Sequence, residues 1–273
     1  MDIIQFIILL TIALSGTVFG SFFTLAVHRI PRKEDITHER SYCPNCNHKL
    51  QFLDLIPVFS YIFLGGKCRY CQNKIRPRYL LLEIFSGLVF LLLGLSYGIN
   101  IETTIPDFLH FVLFILFLCC IFIVGGIDKE KYMIPNGLLI YGLGISILNL
   151  IWNVWNEISI VTNMVGFLVI PMLLIVINLV TTKLFKVKEA PFGGGDIKYL
   201  AILGLFFGFG AQILILVISL LLTFMWKIYE RFRKIENKKI AWGFYLSIAA
   251  ATTLIAIPQI TDIIEVLNFM IIV

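Results

Sequence analysis

The chain is a succession of apolar runs interrupted by short polar segments. Eight runs approach the length that crosses a bilayer, about 20 residues of helix each, at 4–26, 79–98, 108–126, 137–154, 161–182, 197–209, 211–228 and 242–258. They are continuously apolar. A membrane β-barrel would alternate apolar and polar residues instead, so the pattern predicts a bundle of helices. The sixth run is short and meets the seventh through Gly208-Phe209-Gly210, which predicts a tight hairpin. The tail 262–273 is apolar but too short to span alone; it is expected to lie against the bundle or extend the last helix. The first run has no basic segment before it and no cleavage signature after it, and is read as a retained helix.

Composition agrees with that pattern. Of 273 residues, 59% are hydrophobic and only 14% charged, and mean hydropathy is +0.93. The expected fold is therefore an all-α polytopic membrane protein with about eight transmembrane helices. Its one sizeable polar stretch, 28–78, is a small loop domain between the first two. The reading divides the chain into a helix at 1–27, that domain at 28–78, and a membrane core at 79–273.

Charge then orients the chain. Ten Lys or Arg fall in 28–78, two in 127–136, four in 183–198 and six in 227–240, which accounts for all 22. The loops between carry none. Under the positive-inside rule the four basic segments are cytoplasmic and both termini lie outside. The net charge of +5 is thus a topology signal that also favours anionic lipid, and nucleic acid is not an expected partner.

Within 28–78, Cys43-Pro-Asn-Cys46 and Cys68-Arg-Tyr-Cys71 form two C-x-x-C pairs. Four soft thiolates on two turns suit one tetrahedral zinc ion with a structural role. Two disulfides or a redox dithiol are the competing readings, and a cytosolic location favours the metal. A domain this small needs such a staple. Cys119 and Cys120, inside the third run, are expected to pack. His28 and Arg29 are expected to anchor at the membrane interface. Glu83 is read either as binding a cationic ligand or as pairing with Arg76 or Arg78.

Two acids stand out. Asp128 ends the third run and Asp196 opens the sixth, both on the cytoplasmic side. Ionisable groups at such depth are costly and tend to be functional. Gly193-Gly194-Gly195 precede Asp196, and glycine lets backbone approach closely, here that of an extended substrate. Two neighbouring carboxyls share a proton and can activate water. A transporter would place charge near the bilayer midplane, and a scaffold would need neither acid.

The chain resembles the type IV prepilin peptidases, membrane aspartyl proteases of the G-x-G-D type. The resemblance runs through Gly20-Ser21-Phe22, His28-Arg29-Ile30-Pro31, the cysteine segment, IRPRYLLLEIFSG, Ile127-Asp128, Ile134-Pro135-Asn136, GGGDIKYLAILG and AWGFYLSIAA. It implies that Asp128 and Asp196 are catalytic. It implies a prepilin or pseudopilin substrate with a basic leader, cleaved at the bacterial cytoplasmic membrane. It also implies N-methylation of the new terminus from S-adenosylmethionine, with Glu83 a candidate for that step. Thr24, Asp54, Gly65 and Leu80 stand where the family often has Asn, Asn, Arg and Pro. Leader recognition is expected from scarce cytosolic acids such as Glu34, Asp35, Glu39 or Asp54, or from anionic lipid.

Overall fold

A computed structural model describes residues 3–36, 38–184, 190–233, 239–261, 264 and 267–268. Its helices are α1 (Ile3–Arg29), α2 (Phe59–Phe63), α3 (Arg78–Ser96), α4 (Ile105–Lys131), α5 (Asn136–Trp155), α6 (Val161–Leu184), α7 (Gly194–Phe207), α8 (Phe209–Arg233) and α9 (Trp242–Ala256). All eight expected spans appear as helices. Among the described residues, six of them (α1, α3, α4, α5, α6 and α8) are long and apolar enough to cross a membrane. The other two, α7 and α9, have 14 and 15 residues, which at 1.5 Å per residue is roughly 21–23 Å. The tail 262–273 lies outside the described residues except at Ile264, Leu267 and Asn268.

The chain forms two compact units, Met1–Ile105 and Pro106–Val273. In the first, α1 packs along α3. Gly16 and Gly20 lie four apart on α1, and both face α3. A Cβ at Gly16 would sit 2.7 Å from the Phe90 ring, and one at Gly20 would strike Ser86. Small residues at this spacing let two helices approach where apolar solvent supplies no drive to associate.

In the second unit α7 is innermost, packed by α5, α6, α8 and α9. Tyr199, Leu200 and Leu203 are fully buried. A Cβ on Gly204 would collide with the Gly166 carbonyl of α6. The C-terminal carbonyls of a helix that stops early in an apolar setting need partners. Buried amide side chains supply them. Asn163 donates to the Leu205 carbonyl (2.9 Å) and Asn149 to that of Phe206 (3.1 Å). Gln212 reaches back across the Gly208 turn to Leu200 (2.9 Å). His110 of α4 in turn bonds the Asn149 Oδ1 (2.8 Å).

A carboxylate pair and a four-cysteine knuckle

Asp128 lies in the last turn of α4 and is 4% exposed. Asp196 is the third residue of α7 and is half-buried. The two charges act on one another, and the backbone N–H of Gly243 serves both carboxyls. Phe244 donates its own N–H to Asp128 Oδ2 (3.0 Å). The start of α9 thus presents consecutive amides to the pair, as helix N-termini do to anions. Asp196 also accepts the N–H of Gly193, the residue that caps α7; this is one half of a capping box.

The glycines around the pair differ in what they accommodate. A Cβ on Gly243 would stand 3.0 Å from Asp128 Oδ2 and 3.0 Å from Ile134. One on Gly193 would stand 2.9 Å from Asp196 Oδ2. Gly195 would meet Ile134 at 3.4 Å, whereas Gly194 faces open space. Two of the four, Gly193 and Gly243, are therefore set by crowding, and none of the four needs positive φ.

The approach to Asp196 is held from outside the glycines. Asn178 of α6 donates to the Phe192 carbonyl (2.9 Å) and accepts the Phe192 N–H (3.1 Å). The Phe192 ring packs on Trp242 at 5.1 Å, next to Gly243. Lys198 is exposed. Cys119 and Cys120 are buried in α4, and the Cys120 thiol donates to the Leu138 carbonyl (3.5 Å).

In the other unit the four cysteines converge. The sulfurs of Cys43, Cys46, Cys68 and Cys71 all lie within 4.8 Å of one another, and Cys43 and Cys71 are 3.9 Å apart. Sulfurs on a tetrahedral ion with bonds of about 2.3 Å sit roughly 3.8 Å apart, so the cluster fits a metal. The two halves repeat the same hairpin. Cys43 bonds His48 as Cys68 bonds Asn73, and Asn47 bonds Cys43 as Gln72 bonds Cys68. Tyr42 bridges Lys49 as Lys67 bridges Lys74, with Asn47 and Gln72 both at positive φ. The Asn73 amide and the Asn45 side chain bring the Cys71 thiol down to about 7.

Several expected roles are occupied differently. The Asp54 side chain is 3% exposed and receives Arg69 Nε at 2.7 Å, with the Tyr70 hydroxyl and the Gln51 amide. Burial works to raise this carboxyl, and those donors together hold it below its ordinary range. It is therefore not available to a basic leader. Arg29 is buried rather than an interface anchor, because its guanidinium donates to the carbonyls of Asp35, Glu39 and Arg40. Glu83 Oε2 accepts the Val58 N–H at 2.8 Å. Val58 occupies a γ-turn at φ +63°, closed by Phe59 N–H on the Pro57 carbonyl. That is a strained conformation for a β-branched residue.

Comparison with known proteins follows the same two parts. Residues 14–97 match the bacterial peptidase A24 N-terminal domain, and residues 114–228 match the type IV leader peptidase family. A Klebsiella pneumoniae prepilin leader peptidase/N-methyltransferase is 31% identical over 72% of this chain and 84% of its own length. A Bacillus subtilis protein of the same name is 32% identical over 71% of each. One from Vibrio cholerae is 29% identical over 83% of this chain and 88% of its own. No solved structure matches.

Proposed function

This chain belongs to the type IV leader peptidase family, and from that premise we propose that it removes prepilin leaders through Asp128 and Asp196 and methylates the new N-terminus. The observation that supports the catalytic assignment is that Asp128 of α4 and Asp196 of α7 lie close enough for their charges to interact, with the start of α9 beside them and the Phe244 amide on Asp128. Membership makes it a prepilin peptidase of the inner membrane acting on prepilins, and pseudopilins, which share the basic leader and apolar helix, are proposed as substrates as well.

The chemistry follows from the pair. One carboxylate takes a proton from water, and the resulting hydroxide attacks the scissile carbonyl while the other carboxyl donates its proton to the carbonyl oxygen. Collapse of the tetrahedral adduct breaks the C–N bond, and the amine leaves with a proton returned by the pair. The roles belong to the dyad as a unit. Of the glycines 193–195, Gly194 faces open space and leaves room for an extended substrate backbone beside Asp196, while Gly193 and Gly195 let the turn close on Asp196 and Ile134. The site faces the cytoplasm, where the basic leader stays, and Glu34 and Glu39 remain exposed to meet it.

The four cysteines Cys43, Cys46, Cys68 and Cys71 would hold zinc in a structural role, since four thiolates suffice to complete its shell. S-adenosylmethionine would supply an electrophilic methyl group for the new terminal amine. Glu83, with one carboxylate oxygen on the Val58 turn, fits a brace for the loop; that arrangement by itself makes no nucleoside site.

The test is co-expression with a prepilin and intact-mass analysis of the product. Loss of the leader with the parent, and retention with either Asp128→Asn or Asp196→Asn, is the expected result. Cleavage by both variants would remove the dyad. A mature product heavier by about one methyl group reports the second activity, and Glu83→Gln should lower it without blocking cleavage.

A further inference from the structure

The loop between α1 and α3 carries an apolar surface that neither the cysteine cluster nor the dyad uses. The short helix α2 turns Phe59, Ile62 and Phe63 outward, at 52%, 62% and 83% exposure. Their i, i+3, i+4 spacing puts them on one face. The 3₁₀ turn Phe52–Asp54, packed against α2, adds Phe52 at 81% and Leu53 at 61%. Scattered exposed apolar residues are ordinary, but five large ones on two touching elements form a patch, and such patches mark a partner.

Charge and tethering indicate which partner. The segment 28–78 carries ten Lys and Arg against four Asp and Glu, and one of those acids, Asp54, is already paired with Arg69. Lys49, Lys67, Lys74 and Arg76 are exposed around the patch in sequence. Both ends of the segment run directly into spans, α1 and α3, so the loop cannot leave the neighbourhood of the bilayer. Aromatic and aliphatic side chains on a strongly basic segment, held beside a membrane, match an interfacial lipid-binding surface.

We infer that the face formed by Phe52, Leu53, Phe59, Ile62 and Phe63 lies in the headgroup region of the membrane, with the basic residues on anionic lipid. The Glu83–Val58 hydrogen bond then has a mechanical use. It fixes the chain one residue before α2 to α3, and so sets the tilt at which the patch meets the lipid. This inference rests on α1 and α3 being spans and does not depend on peptidase activity.

The full chain is tested in nanodiscs of phosphatidylethanolamine and phosphatidylglycerol, with a photo-crosslinking phenylalanine analogue placed at Phe63 or, for comparison, at exposed Glu39. An aromatic analogue preserves the shape of Phe63, and zinc content verifies that the knuckle is intact. Lipid adducts several-fold more abundant at 63 than at 39 are expected. Replacing the anionic lipid with phosphatidylcholine should lower the yield at 63 relative to that at 39. Equal yields at the two positions overturn the inference, as do adducts at 63 to a second copy of the chain or to co-reconstituted prepilin in place of lipid.

Discussion

The cysteine knuckle draws its four ligands from within a sequence separation of 28, whereas the carboxylate pair joins α4, α7 and α9 and reaches from Asp128 to Phe244 across a separation of 116. The knuckle is two copies of one local hairpin, each closed by its own backbone bonds. The dyad has no local closure: it exists only when three helices pack. A metal can therefore hold the first together whatever surrounds it, while the second depends on helix positions alone. Small errors should be tolerated differently in the two places.

The largest effect expected is at the acids. Asp128→Asn or Asp196→Asn should lower cleavage by about a thousand-fold or more with thermal stability little changed, measured by initial rates on a purified prepilin. Next is the metal. Cys68→Ser or prolonged chelation should open the loop, so that trypsin cuts within 30–77 while the segment from 106 onward keeps its resistance. Cutting throughout the chain would show that the two regions fold together.

Crowding gives a finer contrast. Gly243→Ala should cost about 1–3 kcal/mol of stability through overpacking and reduce turnover sharply. Gly193→Ala should be milder, since only the Asp196 carboxyl must move. Gly194→Ala, which meets no neighbour in the fold but narrows the room proposed for substrate, should raise stability by up to about 1 kcal/mol and lower kcat/KM. Equal effects at 193, 194 and 243 would mean that flexibility, and not clearance, is what these glycines provide.

The smallest effect is at Asp54. Its carboxyl is held below the ordinary range, so the stability it contributes is present above that range and lost as pH falls through the lowered value. Protease resistance of the loop should fall on acidification toward that value in the parent. In Asp54→Asn, which keeps the shape, the share of that pH dependence due to this carboxyl should disappear, leaving the share due to protonation of the metal-binding thiolates.

Much of this architecture was legible because it is written in side chains. Apolar runs gave eight helices, soft ligands in C-x-x-C pairs gave the knuckle, and isolated acids at helix ends drew attention to Asp128 and Asp196, which the fold brings near one another. What stayed hidden is mostly backbone. Gly243 and Phe244 contribute amides, and an amide carries no residue signature; only the resemblance around AWGFYL pointed there. Arg29 looked like an interface cation because its carbonyl partners are also anonymous. Asp54 looked available because its pairing with Arg69 depends on a hairpin fold that no period reveals. Asn178 sits in an apolar run as one polar residue among many, and its grip on Phe192 appears only when α6 faces the turn before α7.

The amide pegs at the far end of α7 carry one more consequence. A helix pinned at its tail by Asn149 and Asn163 and at its middle by Gln212 has a fixed phase as well as a fixed height. Adding one residue between Leu200 and Asp196 would turn the carboxyl by about 100° and shift it about 1.5 Å, with no slack at the other end to absorb the change. Evolution can vary the side chains along this stretch, but its residue count behaves like the tooth number of a gear.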